Sequence, residues 1–194
     1  MKNLKLKNKN KAFTLVETLV AIAILSISVL AASAAVQNSL QSSYYARDEI
    51  TAYYLIQEAV EYVRNIRDGN ALANISSLSS GGSGVNWLSG ISLNSGDPCY
   101  FGNFCTIDAT KPPASAMTVC SPANSASSCP YLNQNGSGLF TYSAGTPTKF
   151  RRSLQISQVP GDSNEIILTV SVSWNSSANH NANVSVQEWL FNTR

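Results

Sequence analysis

Lys11-Ala12-Phe13-Thr14-Leu15-Val16-Glu17-Thr18-Leu19-Val20-Ala21-Ile22-Ala23-Ile24-Leu25 decides how the rest of the chain is read. Lys2, Lys5, Lys7, Lys9 and Lys11 crowd the first twelve positions, with no acid among them. From Thr18 to Val36 nineteen residues carry no charge, which is roughly 28 Å of helix and enough to cross a bilayer core. Glu17 sits at the head of that run. An acid at the centre of a membrane helix costs on the order of 2.5–3.5 kcal/mol, and less toward its end, so an acid kept there asks for a partner. A cut after Ala12 would create one: the α-amino group of Phe13, one helical turn from Glu17.

These residues carry a family resemblance. The segment from Lys11 to about Leu25 resembles the prepilin-type N-terminus of type IV pilins and type II secretion pseudopilins. The resemblance implies a dedicated prepilin peptidase that cuts between Ala12 and Phe13 and methylates the new N-terminus. It also implies that Glu17 takes the place of the family's acid at the fifth mature position, which acts in subunit assembly. The family usually has Gly before the cut, where this chain has Ala12. Ala34 stands where many major pilins have a helix-kinking Pro, and the wording E-T-L-V-A-I-A-I-L-S is most like minor pilins and pilus modification proteins.

Two plainer readings compete. A secretory signal peptide fits the basic start, the apolar run and the small residues Ala32-Ser33-Ala34. A simple membrane anchor fits the run alone. Neither gives Glu17 a purpose.

The formal charge of +2 comes from the leader. Without it, eight basic residues face eleven acidic ones, and a mildly acidic chain with scattered cations does not indicate nucleic-acid binding. The clustered lysines favour a cytoplasmic N-terminus, with the remainder sent across the bacterial inner membrane. Cys99, Cys105, Cys120 and Cys129 would then lie in an oxidising compartment. Four cysteines allow three pairings, and the sequence does not choose between them. Cys99–Cys105 and Cys120–Cys129 close the shortest loops and are favoured. With no C-x-x-C and a single His, a metal site is not expected.

Beyond the apolar run the pattern stays helical to a stop expected at Asp68-Gly69-Asn70. Tyr53, Ile56, Val60 and Val63, flanked by Leu55, Ala59, Tyr62 and Ile66, form one broad apolar face. Glu58, Glu61, Arg64 and Asp68 are expected mostly off it, paired as Glu61–Arg64 and Arg64–Asp68. Residues 69–148 read as loop-rich and dense in Ser, Gly, Asn and Pro. Strand composition returns at Lys149–Gln158, Glu165–Trp174 and Asn183–Phe191, the last with an irregularity at Gln187-Glu188 that would turn Trp189 inward.

The expected fold is α+β. A long N-terminal helix packs on a C-terminal antiparallel sheet of three to four strands, with a disulfide-bonded middle section. The expected organisation is a leader at 1–12, a transmembrane and filament-core half-helix at 13–36, an amphipathic half-helix at 37–68, the cysteine section at 69–148 and strands at 149–194. No phosphate-cradling loop or nucleophile elbow occurs. His180 stands alone in a polar stretch, so no enzyme and no cofactor are expected.

The expected function is a structural subunit, minor pilin or minor pseudopilin, of a pilus or secretion-type filament. By the resemblance its partners are other pilin subunits, prepilin peptidase, an inner-membrane assembly platform and the lipid bilayer. The alternative is a membrane-tethered or secreted β-rich binding module.

Overall fold

The computed structural model describes residues 14–176 and 181–192. The chain divides into two compact units, Met1–Tyr44 and Tyr45–Arg194. One helix, α1 (Leu15–Ser79), contributes to both.

In the first unit the described part of α1 is exposed on every side: Leu15, Ile22, Leu25 and Leu30 are each 60–76% exposed. The hydroxyls there bond back to their own helix. Thr18 Oγ1 donates to the Leu15 carbonyl, Ser26 Oγ to Ile22 and Ser28 Oγ to Ile24, each at 2.8 Å. Such back-bonding satisfies polar atoms without water, as an apolar solvent demands.

The second unit, here called the head, has its own core. Ala52, Leu55, Ile56, Ala59, Val60, Val63 and Ile66 of α1 are buried at the three- and four-residue spacing of one helical face. Tyr53, expected on that face, is 45% exposed, because Ala52 takes the inward position one residue earlier. The helix also outruns its expected stop. Gly69 is an exposed helical residue. Beyond it, the Asn70 side-chain amide donates to the carbonyls of Trp87 and Ser89, and Asn74 Oδ1 accepts from Val85 N–H. The returning chain is thereby tied to an extra stretch of helix. The end comes at Gly81, whose φ of +78° lets the chain leave through the left-handed region while Gly82 N–H bonds back to Ser77 O at 2.9 Å.

Among the described residues seven antiparallel strands form the sheet, more than the three or four expected. Besides β5 (Thr146–Val159), β6 (Asp162–Asn175) and β7 (Asn181–Phe191), the cysteine section supplies β1 (Phe104–Ile107), β2 (Met117–Val119), β3 (Tyr131–Gln134) and β4 (Phe140–Thr141). These four are two to four residues long, too short to show alternation in sequence. A single-turn helix, α2 (Pro113–Ala116), precedes β2. Strand β5 organises the sheet: β6 pairs along one edge, while β3 and β1 share the other by pairing with successive parts of it. Val159 and Asp162 close the β5–β6 hairpin around Pro160 and Gly161. Proline first and a glycine at φ +86° second is the chemistry of a type II turn.

Alternation in β6 is clean: Ile166, Leu168, Val170, Val172 and Trp174 are buried. Strand β7 pairs with it without a break from Asn181 to Phe191. The expected irregularity at Gln187-Glu188 is absent, so the period of two keeps Trp189 outward at 50% exposure and turns Glu188 toward α1.

Candidate functional sites: the apolar segment and the head contacts

Ala12 and Phe13, the expected cleavage pair, lie outside the described residues, as does His180. Glu17 lies in the first turn of α1. Thr14 precedes the helix as its cap, and its Oγ1 accepts from Glu17 N–H at 3.3 Å. The run Thr14-Leu15-Val16-Glu17 is thus a T-x-x-E capping pattern, a signal that sequence reading missed. An acid here meets the positive end of the helix dipole, a contribution of about 0.3–1 kcal/mol. Among the described residues the carboxylate takes no hydrogen bond of its own.

The head is tied to its part of α1 by charge as well as by apolar contact. Arg152, fully buried on β5, donates to Leu55 O of α1 at 2.8 Å, to Glu58 Oε2 at 2.6 Å and to Ile107 O of β1. One guanidinium therefore joins three elements, and Glu58, expected off the apolar face, is drawn to its edge. The signal for Arg152 was parity: it alternates with Phe150, Leu154 and Ile156, all inward. Arg64 bonds Glu188 and Glu61. The expected Arg64–Asp68 pair does not form; Asp68 is taken by Arg67 at 2.8 Å. Hydrogen bonding to Glu188 is the main reason the Arg64 guanidinium titrates above its ordinary value. Lys149 pairs with Asp48 near the start of the head.

Asp108, just past β1 and buried, gathers the short strands. It accepts from Thr110 Oγ1 at 2.6 Å, Thr110 N–H at 3.1 Å, Thr141 Oγ1 at 2.9 Å and Tyr142 N–H at 3.1 Å. Burial pushes its carboxyl upward, but these bonds outweigh it and hold the group below the usual aspartate value. Burial raises the phenol of Tyr62 and that of Tyr142; Tyr62 donates to Lys111 O, beside this cluster. The four cysteines form two disulfides, Cys99–Cys105 and Cys120–Cys129. The first fixes the approach to β1, and the second closes the loop before β3.

Residues 7–33 match the prokaryotic N-terminal methylation motif. That motif supports a protein of the type IV pilin and pseudopilin type. A pilin-type protein is processed by prepilin peptidase and works with other pilin subunits, and the exposed apolar helix of this one suits a single-pass membrane anchor. The match ends at residue 33 and does not reach the head. No curated protein and no solved structure matches the chain.

Proposed function

We propose that this pilin-type chain is a non-enzymatic structural subunit, a minor pilin or minor pseudopilin, cut between Ala12 and Phe13 and drawn from the inner membrane into a filament. The observation that carries the reading is the division of α1. Its first part, exposed and apolar, has nothing within its own unit to cover it, while the head is complete without it. Lipid covers that segment before assembly, and equivalent segments of neighbouring subunits cover it afterwards. The exchange of lipid for protein contacts has little net hydrophobic cost, so association rests on close contacts and polar pairing.

Glu17 supplies the pairing. Its carboxylate meets the Phe13 amine of the adjacent subunit, away from water. A charge left unpaired in such surroundings is penalised by several kcal/mol, so one axial step between subunits is preferred over others. The cytoplasmic leader and the extracytoplasmic, disulfide-bonded head follow from the same orientation.

Intact-mass and N-terminal sequencing of protein from membranes tests the processing. The expected start is a methylated Phe13. A start near Ala35, or at Met1, would instead support a secreted or anchored binding module. Glu17→Val, scored by incorporation into purified filaments, tests the pairing, with normal incorporation the outcome that removes it. The copy number per filament separates minor from major status.

A further inference from the structure

We propose that the outer face of the head sheet holds a binding groove for a ligand that presents a carboxylate on a polyhydroxylated body, as an acidic sugar does. The groove, of about 470 Å³, lies on the face opposite α1, within the roughly 300–1,000 Å³ typical of small-molecule sites. Strand register builds it. Tyr131 of β3 stands opposite Arg151 of β5, Arg151 opposite Ser173 of β6, and Ser173 opposite Asn183 of β7. The next outward row places Ser153 opposite Ser171.

Charge singles out Arg151. Its β5 neighbours Lys149 and Arg152 are neutralised by Asp48 and Glu58. Arg151 has no ion pair among the described residues, and its covered Nε has no hydrogen-bond partner. Such orphaned polar atoms are uncommon in folded proteins. The guanidinium lies over the Tyr131 ring, 4.3 Å from the centroid, so the ring holds its planar donor fork in place. Among the described residues Arg151 is also the only charged one lining the groove. A fork of this kind recognises a carboxylate by paired hydrogen bonds.

The remaining lining selects the body of the ligand. Ser173 and Asn183 offer groups that both donate and accept, and Ser171 Oγ, which donates to Ser185 Oγ at 2.8 Å, can still accept; such a set complements sugar hydroxyls. One wall is the loop closed by Cys120–Cys129, which contributes Ala126 and Ser127. Ser128 Oγ, bonded to Ser125 O at 2.6 Å, stiffens it. A wall fixed before the ligand arrives lowers the ordering cost of binding.

The test is amide NMR on the full chain in zwitterionic detergent micelles, titrated with sodium glucuronate, glucose and sodium acetate. Saturable shifts at Ser171, Ser173 and Asn183 are expected with glucuronate, at an affinity at least about tenfold above glucose or acetate. Arg151→Gln should erase the preference over glucose. Ser173→Val, which fills the floor with a strand-compatible side chain, should weaken glucuronate while the core amides of Leu154 and Val170 stay in place. Linear, unsaturable shifts, acetate equal to glucuronate, or an unchanged preference in Arg151→Gln would each overturn the site. Loss of the Leu154 and Val170 signals in a variant would move the comparison to Arg151→Lys, which keeps the charge and should retain part of the preference.

Discussion

The two parts of α1 solve opposite problems with the same backbone. Between Leu15 and Tyr44 the described side chains face outward, and hydroxyls turn back onto their own helix. Between Asp48 and Ile66 one face is sealed, and polar groups reach across to other elements: Asp48 to Lys149, Glu58 to Arg152, Arg64 to Glu188. The first stretch finds no cover within its own unit, and on the proposed reading lipid or another copy supplies it. The second is committed to its own sheet. An assembling subunit requires that separation, since a segment used by its own core is not free to change partners.

Substitutions should sort along that line. The largest effect is expected at Arg152. Arg152→Ala leaves Glu58 facing a void and removes bonds to α1 and β1 at once. Truncating a large, fully buried side chain and leaving two buried carbonyls without their donor costs about 3–5 kcal/mol, and urea unfolding of the head should show a midpoint lowered accordingly. Ile56→Ala, at 2% exposure, should cost about 2–5 kcal/mol through lost burial and a cavity. Ile24→Ala, at 60% exposure, should leave the head midpoint within about 0.5 kcal/mol of the parent. A head transition that responds equally to both would erase the distinction between the two stretches.

Legibility followed the length of the pattern. The apolar run, the helix face around Ile56 and Val60 and the alternation of β6 each extend over many residues, and periodicity exposes them. Strands β1 to β3 escaped notice because three or four residues cannot establish a period. They form because the edge of β5 not taken by β6 is open to β1 and β3, and because Asp108 fixes Thr110, Thr141 and Tyr142. Glu188 and Trp189 were assigned to the wrong sides since hydrophobicity was weighed above parity. The inward position goes to the acid because Arg64 waits for it. Arg152 was hidden for the same reason. In the N-terminal segment Glu17 was legible as an outlier of charge, whereas the Thr14 cap needed the helix start to be known.

A smaller, pH-dependent effect should reside wholly in the head. Asp108 has a folded-state value below its unfolded one, so its contribution is fully present above the unfolded value and is lost as pH falls through the folded value. Asp108→Asn would set an amide against donors that need an acceptor. Stability at neutral pH should fall by about 2 kcal/mol, a typical loss for hydrogen bonds to a charged group. The acid limb of the stability curve should flatten. Parallel acid limbs in parent and variant would show that another carboxylate governs that limb.

The smallest expected effects test where the helix of the head ends, and they carry opposite signs. Gly69 is helical and exposed, with open space where a Cβ would stand. Gly69→Ala should therefore stabilise the head by about 0.5–1 kcal/mol, the difference in helix propensity between the two residues. Gly81 also has open space, but its φ is +78°, where a side chain costs roughly 1–2 kcal/mol. Gly81→Ala should destabilise. A chain that stopped its helix at Gly69 would reverse both signs, because Gly69 would then hold the left-handed cap. The pair of unfolding midpoints thus reads the helix boundary directly, and with it the stretch beyond Gly69 on which Asn70 and Asn74 hold the returning chain.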